Sequence, residues 1–169
     1  MLRWQVVKDI SYYKKQRIKR SIKRWFKMNK KNYSGYESYQ YLKPGQDYKD
    51  FKLAKQVNRV APYENKLTKK EQDRVEEIFE NNLIISVHEH PRILPEDISE
   101  LTEMNSLGRE FTGYQGLSVS GMDAVFDNFL DGSCIITSKN GWKWRDILYN
   151  LGMKYCDIAH QDMYVRAEN

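Results

Sequence analysis

Hydrophobic and polar positions follow two different rhythms after residue 67. Thr68, with Glu71 three residues later, is a capping-box signature. Val75, Ile78 and Phe79 then recur at helical spacing. This pattern predicts a helix that Asn81 and Asn82 end. Leu83-Ile84-Ile85-Ser86-Val87 is a short apolar run bounded by polar residues, the pattern of a strand buried in a parallel sheet. His88-Glu89-His90 completes it, and Pro91 stops the ladder. Residues 92–122 read as loop with short helical turns. Pro95-Glu96-Asp97 starts one turn, and Gly108, Gly113, Gly116 and Gly121 punctuate the rest. Ala124 to Leu130 predicts a second strand, with Cys134 to Thr137 a third or a continuation past Asp131-Gly132. A second helix is expected from Trp142 to about His160, with Ile147, Leu148, Leu151, Tyr155 and Ile158 on one face. Strands alternating with helices argue for a parallel α/β architecture.

The chain before residue 67 has a different character. Residues 1–31 read as a basic helical arm, in which Ile18, Ile22, Trp25 and Phe26 share a helical spacing among many lysines and arginines. Three readings of the arm stay open: a solvated helix docked by its aromatic edge, a helix on an anionic membrane surface, and a phosphate-binding arm for nucleic acid. Residues 32–66 read as a tyrosine-rich extended linker, with Tyr33, Tyr36, Tyr39, Tyr41, Tyr48 and Tyr63 scattered among Gly35, Pro44, Gly45 and Pro62. So many tyrosines imply that the segment lies across a folded surface.

Charge sharpens this division. Residues 1–31 hold twelve Lys/Arg and one acid, a net +11, while the remainder is net −6, which gives the formal +5 of the whole chain. The basicity therefore belongs to the arm. A 40% hydrophobic and 13% aromatic composition is that of a globular chain with a core. No apolar run approaches the roughly 18 residues of a membrane span, and the charged N-terminus lacks a signal-peptide core. A cytoplasmic location is expected. Cys134 and Cys156 have no C-x-x-C spacing and are read as buried small hydrophobes.

Few residues offer chemistry. In a strand, side chains alternate, so His88 and His90 share a face with Ser86 while Glu89 points away. Their Cα atoms lie about 6–7 Å apart at the usual strand rise, and two imidazoles so placed can converge on a divalent ion such as zinc. The pair uses two of only three histidines. The alternative is a pair of structural imidazoles hydrogen-bonded beneath a loop. His160, at the end of the second helix, is explained by the helix dipole. Asp123, Asp127 and Asp131 recur every fourth residue. Asp127 falls inside or at the rim of the core, where a carboxylate needs a partner. It is a weak candidate for the substrate site or for supporting a ligand. Ser118 and Ser120 lie outside any G-x-S-x-G frame and are not read as nucleophiles.

At these residues the stretch from about Leu67 to Glu168 resembles the membrane (renal-type) dipeptidase family of the amidohydrolase superfamily. The segments that carry the resemblance are Ile84 to Pro91, Ser120 to Phe126 and Leu151 to Asp157. In that family the first strand ends in a His-x-Asp metal pair. His88 matches the histidine, and His90 stands where the family has aspartate. His-x-His is the common pattern of the wider superfamily. The resemblance implies a (β/α)8 barrel, one or two zinc ions, and a metal-bound hydroxide that hydrolyses a peptide or amide bond of a small substrate. It also implies that residues 67–169 are the first strand–helix units of that barrel. A barrel needs about 250 residues, so the chain is expected to be a truncated N-terminal part with its remaining ligands beyond Asn169. The alternative is an inactive fragment or a binding module that contacts membrane or nucleic acid through its arm. A homo-oligomeric state is left open.

Overall fold

The computed structural model describes residues 4–7, 32–61, 65–107, 110–128 and 144–167. Four strands and four α-helices lie among them: β1 Trp4–Val7, α1 Lys69–Asn81, β2 Ile85–Glu89, α2 Leu101–Leu107, α3 Tyr114–Val119, β3 Ala124–Asp127, α4 Trp144–Ala159 and β4 Tyr164–Arg166. A short 3-10 turn, Ile98–Glu100, leads into α2, with Asp97 accepting from Ser99 N at its start. The capping box of α1 forms: Thr68 accepts from Glu71 N, and Glu71 accepts from Thr68 N at 2.7 Å.

The strands make an open sheet in the order β2-β3-β1-β4. β2 and β3 are parallel, while β1 runs antiparallel to both β3 and β4. The sheet is therefore mixed rather than purely parallel, and among the described residues no barrel closes. β1 also departs from the expected helical arm. Trp4, Val6 and Val7 are the aromatic and β-branched types that favour strands, and here they pair instead of coiling. The rest of the arm, residues 8–31, and the Cys134–Thr137 strand expectation lie outside the described residues.

β2 begins two residues later than its apolar run, so His88 lies inside the strand. It occupies the end of the sheet rather than a buried middle position. Leu83, Ile85 and Val87 are 53%, 41% and 74% exposed. The expectation of burial is corrected for a physical reason: an apolar run shows that a strand could be covered on both faces, but covering elements must be present to do it. α1 likewise buries none of its residues fully.

The core lies around β3, α3, β4 and the 36–51 segment. One cluster joins Tyr36, Tyr114, Leu117, Val125, Ile158, Met163 and Tyr164, and a second joins Tyr39, Phe51, Ile93, Met104 and Phe111. Residues 32–61 are irregular in backbone, yet they contribute three of these buried aromatic side chains. A buried carboxylate holds them in place. Asp157 is 0% exposed. Its Oδ1 accepts from Tyr36 Oη at 2.7 Å and Tyr39 N at 2.8 Å, and its Oδ2 from Ser38 Oγ at 2.6 Å and Tyr114 Oη at 2.9 Å. Four donors fill the roughly four acceptor positions of an ionised carboxylate. Tyr39 sits at φ 60°, a left-handed conformation disfavoured for a bulky residue. The hydrogen bond that its backbone N–H donates to Asp157 and its own burial hold it there.

α4 also differs from its expected face. Lys154, Asp157 and Ile158 are buried, whereas Leu148 of the apolar stripe is exposed. The buried side of this helix carries charge because it packs on a polar cluster. Cys156 points outward and is exposed, contrary to the buried role expected for it. It lies on the opposite side of the helix from the Lys154–Asp157–Ile158 contact.

Candidate metal centre

His88 and His90 are exposed, and their rings meet edge to face with centroids 5.2 Å apart and planes at 70°. With metal–nitrogen bonds of about 2.0–2.1 Å and a tetrahedral angle, two imidazoles on one zinc ion have centroids about 5 Å apart. The observed centroid separation matches that spacing. Among the described residues no group of three His, Cys, Asp or Glu side chains is arranged to hold a metal.

The strand geometry around the pair is irregular. The β2–β3 register shifts between Ser86 and Glu89. Ser86 and Glu89, expected on opposite faces, instead meet: Ser86 Oγ donates to Glu89 Oε1 at 2.7 Å. Asp127 pairs in register with Glu89, and Asn128 N donates to Glu89 O at 2.8 Å. The end of β3 is thereby tied to the peptide between the two histidines. Arg92 N closes the turn beyond them by donating to His90 O at 2.6 Å.

Asp127 is buried and has the partner its position demanded. Lys154 Nζ lies 3.1 Å from its Oδ2, with both side chains almost wholly enclosed, and Glu110 Oε1 is 3.9 Å from the same ammonium. Tyr164 Oη donates to Asp127 Oδ2 at 3.4 Å. Burial first, and the Asp127 charge second, push the Tyr164 phenol well above its ordinary range. Asp123 serves the backbone, with Oδ2 accepting from Ile84 N at 2.9 Å where β2 begins.

The remaining sequence candidates take structural roles. His160 Nδ1 lies 2.7 Å from Cys156 O, and a carbonyl only accepts, so this nitrogen carries the proton. The ring stacks on Tyr41 at 3.8 Å. Ser118 and Ser120 donate their hydroxyls to the Gln115 and Leu117 carbonyls. Sequence reasoning missed Lys154 and Asp157. The available signal was a lysine and an aspartate three residues apart in the mostly apolar second half of the helix, after Asn150, but a helical period alone reads such charges as solvent-facing.

No protein-family model matches this chain, and no curated protein or solved structure does either.

Proposed function

We propose that the chain contributes to a metal-dependent hydrolase that cleaves a peptide or amide bond of a small substrate, with His88 and His90 as zinc ligands. The observation that carries this reading is the 5.2 Å separation of the two imidazoles at the end of β2. Two further features support it. β2 and β3 run parallel, as successive strands of a (β/α)8 barrel do, and His88 lies near the C-terminal end of β2 with His90 just beyond it, where such barrels place their chemistry. The resemblance to membrane dipeptidases supplies the reaction class.

A bound zinc ion would contribute Lewis acidity and would lower the pKa of water. The chain's own residues supply position. The β3 end, fixed by Asp127 against Lys154, holds the Glu89 carbonyl through Asn128 N, and with it the peptide that carries both histidines. Both rings are exposed and therefore accessible to substrate. Among the described residues no helix is long and apolar enough to cross a membrane, which accords with the cytoplasmic location included in this proposal.

The test is elemental analysis of zinc in the wild-type chain and in the His88→Ala and His90→Ala variants, together with hydrolysis of a small dipeptide panel. Each substitution is expected to lower bound zinc. Equal zinc in all three proteins would remove the basis of the assignment.

A further inference from the structure

A cavity of about 350 Å³ opens beside the turn that follows β2. Its walls come from three segments far apart in sequence. The turn after β2 pairs with the segment before α3: Gly113 N donates to Pro91 O at 2.9 Å and Ile93 N to Phe111 O at 2.8 Å. The third wall is a strap from the tyrosine-rich segment. Ala54 N donates to Leu94 O at 2.9 Å, and Glu96 N to Lys52 O at 2.7 Å. Gln56 anchors the strap by accepting from Gly116 N through Oε1 at 3.0 Å.

The lining mixes two kinds of residue. Ile93, Leu94, Leu117 and Met122 are its apolar residues, while Lys55, Arg59 and Arg92 are its three cationic ones. Glu89 is the one carboxylate in the lining, and its Oε1 already accepts from Ser86. The charged lining is therefore net positive. Lys55 and Arg59 are exposed and form no ion pair among the described residues. Arg92 is half-buried and oriented by Nη1 donating to Asn105 Oδ1 at 3.2 Å. The volume lies at the small end of the range for ligand sites, and an apolar wall with a few converging polar groups is their usual chemistry. Guanidinium groups bind oxyanions by charge-assisted, often paired, hydrogen bonds.

We infer that this cavity binds a small molecule with a short apolar body and one oxyanion, either a carboxylate or a phosphate. The apolar body packs on Ile93, Leu94, Leu117 and Met122, and the oxyanion sits among Lys55, Arg59 and Arg92. The assignment does not rest on the metal reading, because none of its contacts involves His88 or His90.

The experiment is a titration of the full chain, followed by calorimetry and amide chemical shifts, with sodium isovalerate, its neutral analogue isovaleramide, and inorganic phosphate. Isovalerate or phosphate is expected to bind at least tenfold more tightly than isovaleramide, with shifts at Gly113, Gly116 and Arg92. Preference for isovalerate assigns a carboxylate ligand, and preference for phosphate a phosphate one. The Lys55→Gln/Arg59→Gln double variant alters only exposed side chains and is expected to weaken binding about tenfold with the fold intact. Arg92→Gln should weaken it further. The His88→Ala/His90→Ala variant should bind the anion as wild type does, so loss of zinc and loss of anion binding are separately visible. Equal affinity for isovaleramide and isovalerate without phosphate binding, no binding of either anion, or unchanged binding in the double variant overturns the proposal.

Discussion

At the scale of single residues, two carboxylates with similar burial do different work. Asp127 faces a buried ammonium, whereas Asp157 faces only neutral donors, four of them. Replacing Asp157 by asparagine puts an NH2 group against two of those donors and leaves them unsatisfied. Each buried orphan costs about 1–3 kcal/mol, so Asp157→Asn is expected to lose about 2–6 kcal/mol of stability, measured by urea denaturation. A loss below about 1 kcal/mol would mean that the hub does not bear on stability. The legibility of these residues from sequence follows from distance along the chain. His88 lies in β2 and His90 just past its end, two residues apart in sequence, so their proximity is a local one that the sequence already displays. Lys154, Asp127 and Glu110 meet through three different segments, and nothing local marks them as partners.

At the scale of elements, capping chemistry was fully legible, because Thr68 and Glu71 satisfy each other within one turn. Strand existence was legible too, but burial was not. The apolar runs of β2 and β3 look alike, yet Val125 is 0% exposed and Val87 is 74% exposed. What separates them is cover: Val125 packs among Tyr114, Leu117 and Tyr164, while Val87 is left exposed. Val125→Ala is therefore expected to cost about 2 kcal/mol through lost burial and a residual cavity. Val87→Lys should change stability by no more than about 0.5 kcal/mol. Thermal or denaturant unfolding of both variants checks the contrast, and comparable losses at the two positions would contradict this difference in cover. The face of α4 was misjudged because a helical period identifies an apolar stripe and says nothing of a polar cluster waiting on the other side.

At the scale of the whole molecule, the alternation of helices and strands was visible, whereas the mixed sheet and the use of residues 32–61 as core were not. A tyrosine is apolar enough for a core and polar enough for a surface, so its count cannot decide between them. Three of these phenols, Tyr36, Tyr114 and Tyr164, are held above their ordinary pKa, mainly by burial and further by Asp157 or Asp127. In the unfolded chain they ionise near pH 10. Above that value the unfolded state binds fewer protons than the folded one, so stability is intact below about pH 10 and falls as pH rises beyond it. With all three contributing, the slope is about 4 kcal/mol per pH unit. Urea denaturation at pH 9, 10 and 11 measures it, and spectrophotometric titration is expected to find fewer phenolates in the folded protein than in the unfolded chain, by the three protected rings. A flat profile, or equal numbers of phenolates in the folded and unfolded protein at the same pH, would contradict the burial of these rings. The same hub also bears on how the chain is made. Its donors at residues 36–39 lie 118 to 121 positions from Asp157. At about 5–20 residues per second, a ribosome takes roughly 6–24 s to cover that distance. During that interval the strained Tyr39 turn lacks its Asp157 acceptor, so residues 36–39 emerge well before the carboxylate that gathers them in the folded chain.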